Sequence, residues 1–181
     1  MKIIPESYLL DEAKIILSPN YDDRLDSSSI SLIIIHSISL PPSVFGGSYV
    51  EEFFLNKLKK SENDYLNNLR NTKVSSHLYI KRTGEIIQFV SFNKRAWHAG
   101  KSTFENIPNC NDYSIGIELE GFDDIVYEDI QYEKLSKIIN ALLEFYPKIS
   151  KDRIVGHSDV SPQRKSDPGP LFDWKRLKSM L

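Results

Sequence analysis

The sequence predicts a single α/β domain over residues 1–181, a mixed central β-sheet with helices packed on its faces. Three observations carry that prediction. Short β-branched runs recur along the chain, and two of them end on a histidine. One long stretch, Asp129 to Tyr146, spaces its apolar residues as a helix does. The length of 181 residues, 40% apolar and 27% charged, suits one domain with a sizeable core.

Taken in order, Ser31-Leu-Ile-Ile-Ile-His36 is a continuous apolar run and reads as a central strand covered on both faces. After the Gly46-Gly47 break, Tyr49 to Lys59 reads as a helix. Lys60 to Lys73 is polar and Asn-rich, and reads as a loop or a loose helix. His77 to Lys81 and Glu85 to Val90 flank Arg82-Thr83-Gly84 as a hairpin. Tyr113 to Glu118 is a further strand. The helix from Asp129 to Tyr146 carries Ile130, Leu135, Ile138, Ile139, Leu142 and Leu143 on one side. Glu133, Lys134, Lys137 and Asn140 lie on the other, and Pro147 stops it. Arg153 to His157 is a strand ending on histidine, and a last helix begins near Asp173, an N-cap before Trp174.

Composition excludes several function classes. A net charge of -2 gives no global reason to bind nucleic acid or an anionic membrane. The lone Cys110 has no intrachain partner, which suits a reducing compartment, and it reads as a small core residue. Glu6, Asp11 and Glu12 interrupt any signal-peptide apolar stretch. No run approaches the roughly 18 apolar residues that span a bilayer. The expectation is a cytoplasmic protein.

The chemistry concentrates at strand ends. His36 and His157 each close a candidate strand, where α/β proteins commonly build sites. Asp167 follows within Arg164-Lys-Ser-Asp-Pro-Gly-Pro170, stiffened by Pro168 and Pro170. Two imidazoles and a carboxylate form a catalytic zinc set with one position open. The same residues also read as two satisfied core histidines and a turn aspartate. His77 or His98 would serve equally as replacements among the ligands. Glu118 and Glu120 share a strand face, and pattern alone leaves the choice of general base between them open. Lys165 reads either as an oxyanion partner or as a solvated lysine. Trp97-His98-Ala99-Gly100 reads as an aromatic wall for a sugar ring or peptide, or as core packing.

A wider set of segments carries a resemblance. It includes Ser18-Pro-Asn-Tyr-Asp22, His36-Ser-Ile-Ser-Leu-Pro-Pro42, Phe45-Gly-Gly47 and Val74-Ser-Ser-His77. It continues through Lys94-Arg-Ala-Trp-His-Ala-Gly100, Cys110-Asn-Asp-Tyr-Ser-Ile-Gly-Ile-Glu-Leu-Glu-Gly121, Gly156-His157, Arg164 to Pro170 and Phe172-Asp-Trp174. Through these segments, in order along nearly the whole chain, the sequence resembles the N-acetylmuramoyl-L-alanine amidases of the type 2 family. Within that family it is most similar to the cytosolic members that act on 1,6-anhydro-muropeptides in peptidoglycan recycling.

The resemblance implies a peptidoglycan-recognition-like fold and one Zn2+ held by His36, His157 and Asp167. It implies Glu118, rather than Glu120, as the catalytic carboxylate and Lys165 as its partner at the transition state. It implies Tyr65 as an active-site residue and excludes His77 and His98 as ligands; with Lys73 and the wall residues Trp97 and His98, Tyr65 makes up the expected substrate contacts. The implied partner is a small-molecule muropeptide, with no nucleic acid, membrane or obligate protein partner. One departure stands out. Glu105-Asn-Ile-Pro-Asn109 lacks the arginine that such proteins often carry there to grip stem-peptide carboxylates, and Lys73 retains one positive charge nearby. The competing expectations are a non-catalytic peptidoglycan-recognition module, a lysin acting on intact murein, and a structural zinc domain closed by four ligands.

Overall fold

The computed structural model describes residues 1–181. Six strands form the main sheet: β1 (Lys14–Ile15), β2 (Leu32–Ile38), β3 (Leu78–Ile80), β4 (Ile86–Gln88), β5 (Ser114–Glu120) and β6 (Ile154–Gly156). Their order across the sheet is β6-β2-β5-β3-β4-β1. Neighbours β6, β2, β5 and β3 run parallel, whereas β4 turns back antiparallel on β3. The sheet is therefore mixed, as the sequence predicts. The helices are α1 (Tyr49–Phe54), α2 (Asp64–Leu69), α3 (Asp129–Phe145), α4 (His157–Val160) and α5 (Trp174–Ser179). None is long and apolar enough to cross a membrane.

Alternation along β2 divides its apolar residues between two faces, while β5 keeps Ile115, Ile117 and Leu119 on one. Ile33, Ile35, Ile115, Ile117 and Leu119 meet Leu135, Ile138, Ile139 and Leu142 of α3 in the larger core. Each such side chain contributes about 1.5–3 kcal/mol by leaving water. On the other face, Leu32 and Ile34 pack with Ala99, Cys110 and Val160. Beside them, Tyr79 and Ile87 pack under Phe53, Phe54 and Leu66 of α1 and α2. The buried run on β2 is thus sandwiched, which is why it reads as continuous apolar sequence, whereas β5 alternates its apolar residues with Ser114, Gly116, Glu118 and Glu120. Gln131, fully buried on α3, donates to Ile80 O and Glu120 O and pins the helix to the ends of two strands.

Several boundaries differ from the sequence reading, each for a long-range reason. β2 and β5 each run on for two residues, so neither His36 nor Glu118 ends its strand. β6 stops at Gly156, and His157 opens the one-turn α4. There the Asp159 carboxylate accepts the Gly156 N–H at 2.7 Å and turns the chain. α1 ends at Phe54 instead of continuing to Lys59, because Ser18 Oγ and the Asn20 amide both donate to Phe54 O. Asn56 then takes a left-handed conformation, φ 58°, which an asparagine tolerates. Within the polar stretch read as a loop or loose helix, α2 forms because Asn63 Oδ1 caps Leu66 N and Leu66 buries itself. The hairpin at Arg82-Thr83-Gly84 forms as expected, with Gly84 at φ 84°. Asp173 caps α5 through Arg176 N.

Candidate active site

The parallel strands β6, β2 and β5 bring three chain positions to one edge of the sheet. Glu118 pairs directly with His36 across β5 and β2, so both side chains rise from the same face. His157 follows β6 on that edge. The loop bearing Asp167 folds over it, with Ser158 N donating to Asp167 O at 3.0 Å and Tyr127 Oη to Pro168 O at 2.7 Å.

Three donor atoms converge there. His36 Nδ1 and His157 Nδ1 lie 3.0 Å apart, and Asp167 Oδ2 lies 3.1 Å from the first and 3.0 Å from the second. His36 is 1% and His157 2% exposed, so water does not hold them there. Burial pulls the His36 imidazole down to about 4, against the opposing pull of Asp167. Burial works against ionising Asp167, yet its hydrogen bonds with His157 and His36 hold the carboxyl far below the usual range. The favoured forms, a neutral imidazole and a carboxylate, are those that bind a cation. Two nitrogens and one oxygen on rigid supports fit a zinc ion with a position left open.

Glu118 stands beside this group at 8% exposure, and its Oε2 has no hydrogen-bond partner. Burial pushes its carboxyl well above the ordinary range, the Asp167 charge adds to that, and Lys165 opposes it. Glu120 is also buried, but both its oxygens are engaged, one by Gly46 N and the other by Arg82 N. The two glutamates that pattern leaves equivalent therefore differ in the fold: one is a strut, and the other presents an unpartnered oxygen.

A cavity of about 500 Å³ opens over the group, within the range of small-molecule sites. His36, Glu118, His157 and Asp167 line it, and so do Lys165, Arg164, Trp97 and Tyr65. Lys165 is exposed at its rim. Tyr65, on α2, is 45% exposed. Lys73 is exposed and does not line the cavity, although its neighbours Thr72 and Val74 do. His98 sits against His36, with Nδ1 2.9 Å from His36 Nε2 and the rings nearly perpendicular. His77 is fully buried further along, accepting Gly116 N at Nδ1 and close to Arg24. Cys110 is buried without a disulfide and meets Tyr113 Oη at 3.3 Å. Sequence reasoning missed the supports behind the histidines: Ala99 O, 3.0 Å from His157 Nε2, and Ser114 Oγ, 3.3 Å from His98 Nε2. The one local signal was Gly116 inside a strand, a mark of close approach by another group.

Known proteins resemble this chain in sequence and fold. A family model described as N-acetylmuramoyl-L-alanine amidase matches residues 26–170. The 1,6-anhydro-N-acetylmuramyl-L-alanine amidase AmpD of Haemophilus influenzae is 49% identical over 97% of this chain and 96% of its own length. A crystal structure of a selenomethionine AmpD derivative superposes with TM-score 0.93 at 44% identity, covering 97% of each chain. The E. coli amidase AmiD was solved in complex with the substrate anhydro-N-acetylmuramic acid-L-Ala-D-gamma-Glu-L-Lys. It aligns with TM-score 0.63 at 28% identity, over 84% of this chain and 57% of that one. With the family model covering most of its length, the chain belongs to the N-acetylmuramoyl-L-alanine amidase family.

Proposed function

We propose that this protein is a zinc-dependent amidase of peptidoglycan recycling. Its substrate would be a soluble muropeptide, cut between the lactyl carbonyl of (1,6-anhydro-)N-acetylmuramic acid and the nitrogen of L-alanine. The observation that carries the reading is the convergence of His36 Nδ1, His157 Nδ1 and Asp167 Oδ2 beside the unpartnered Glu118 oxygen. When bound, the ion supplies Lewis acidity to the carbonyl and makes a water acidic near neutral pH.

The chain's own residues do the rest. Glu118, with its raised proton affinity, takes the proton of the attacking water. The same carboxyl then delivers a proton to the alanine nitrogen, because an amine anion is too basic to leave. Lys165, at the cavity rim, faces the oxyanion that forms on the lactyl carbonyl. Trp97 and Tyr65 flank the cavity and offer ring faces to the sugar and peptide. Lys73 lies outside the lining, so in this reading its charge would reach only parts of a stem peptide that extend beyond the cavity. The amidase unit extends over residues 1–181, since Ile3, Leu10 and Leu177 join the main core outside the matched segment. The buried Cys110, free of any disulfide, suits the cytoplasm where this reading places the protein.

Lys165→Ala is expected to lower kcat by about 10²–10³-fold, as for removal of one oxyanion donor, with zinc content unchanged. Steady-state kinetics with metal analysis checks this, and an unchanged kcat removes Lys165 from the mechanism. The reading as a whole is tested by product analysis on two substrates, soluble anhydromuropeptide and intact sacculi. Release of free stem peptide from the soluble substrate, abolished by a chelator and restored by zinc, is the expected result. Faster release from sacculi would make the protein a wall lysin, and zinc binding without hydrolysis would make it a recognition module.

A further inference from the structure

We infer that the dipeptide His98–Ala99, held by Asn111, sets the tautomer of both metal-site histidines, so that each presents a bare Nδ1 beside Asp167. The inference rests on the metal reading above and concerns residues outside the three converging ligand atoms. His98 is a positioning residue in this account.

The His157 side is set by a main-chain oxygen. Ala99 O only accepts, and it lies 3.0 Å from His157 Nε2. That nitrogen therefore carries the hydrogen, and the lone pair of a neutral ring is left on Nδ1. Arg164 Nη2 is 3.4 Å from the same nitrogen, but its two N–H groups go to Ala99 O at 2.5 Å and Lys101 O at 3.1 Å and so do not compete.

The His36 side is set by a chain of donors. Ser114 Oγ donates to Cys110 O at 2.6 Å, which leaves the hydroxyl oxygen as an acceptor. His98 Nε2, 3.3 Å away, donates to it. In the neutral ring the lone pair of His98 then lies on Nδ1, 2.9 Å from His36 Nε2. His36 Nε2 must donate, and His36 Nδ1 is left bare. No proton is gained or lost along the chain; a carbonyl at its far end decides which nitrogen faces the ion.

Two features fix the dipeptide in place. Asn111 Oδ1 accepts the N–H groups of both His98 and Ala99, at 3.2 and 2.8 Å. The His98 ring also lies directly over β5 at Gly116, where an added Cβ would stand 2.4 Å from His98 Cγ. Outer partners of this kind orient metal-binding imidazoles in general. Here one pair of adjacent residues does so for both.

The first measurement is long-range ¹⁵N–¹H correlation of the imidazoles in the zinc-loaded full chain. Nε2–H is expected on His36, His98 and His157, and an Nδ1–H on His98 overturns the inference without any variant. The second is zinc affinity by chelator competition. His98→Leu is expected to weaken it about 10–100-fold. His98→Asn, whose Oδ1 can replace the lost acceptor, should keep most of it, and thermal unfolding of the two metal-free variants should agree. Equal loss in both, or no loss in the leucine variant, overturns the proposal. Should the leucine variant fail to fold, Ser114→Ala and Gly116→Ala provide the same test, the first removing the acceptor of His98 and the second displacing its ring. Wild-type affinity in both overturns it. A wild-type protein that binds no zinc would defeat the metal reading itself, and the tautomers of the metal-free protein would still be measured.

Discussion

Glu118→Gln is expected to keep its zinc and to lose about 10²–10⁴-fold in kcat, the usual contribution of a positioned proton-transfer group. The substitution changes little in shape. Glu118 supplies none of the three converging donor atoms, so the metal site keeps its full set. What disappears is a basic oxygen. Oε2 is buried and partnerless, and burial has raised the proton affinity of its carboxyl well above the ordinary carboxylate range. An amide of the same size accepts no proton from water and returns none to the leaving nitrogen. Both halves of the reaction fail together, so no trapped intermediate is expected. KM should change little, since the substrate still meets the same walls. Because an unpaired buried carboxyl is costly, the metal-free variant should unfold at no lower temperature than the metal-free wild type. Metal analysis, steady-state kinetics and thermal unfolding on one preparation decide the matter. Wild-type turnover in the variant would remove Glu118 from the mechanism; zinc loss would make it part of the metal site.

The contrast with Glu120 shows where sequence pattern stops. Residues 118 and 120 point to the same face of β5 by simple alternation, and nothing local ranks them. Their difference lies in Gly46 and Arg82, which lie 74 and 38 residues away and occupy the oxygens of Glu120. His98 is a similar case. Next to Trp97 it reads as a wall of the cleft, and it does line the cavity, but pattern gives no sign that its ring nitrogens meet His36 and Ser114, partners set by tertiary packing. By contrast, the sandwiched strand β2, the alternating strand β5 and the helix α3 are legible, because a continuous apolar run, a period of two and a helical period survive any detail of packing. The edge strand β1 has two residues, both exposed, and so carries no such pattern. α1 looked longer than it is because its end is decided by Ser18 and Asn20, which capture Phe54 O from across the fold.

His157→Ala should abolish both zinc binding and turnover, which separates it from the Glu118 variant. His157 supplies one of three converging atoms, and with only His36 Nδ1 and Asp167 Oδ2 left the site falls below the three protein ligands of a catalytic zinc centre. The loss of affinity should exceed the roughly 10–100-fold that follows removal of an outer partner. The substitution also leaves Ala99 O without its imidazole donor and opens a space beside α4, although Arg164 still donates to that carbonyl. A fall in activity alone would therefore not distinguish lost chemistry from lost structure. The comparison that does is with chelator-treated wild type. If His157 acts as a ligand, the two metal-free proteins should have similar far-ultraviolet circular dichroism, and added zinc should raise the unfolding temperature of the wild type but not of the variant. Stabilisation of the variant by zinc to the wild-type extent, at equal metal concentration, would show that the ion is held without His157 and would take the metal centre away from this edge of the sheet.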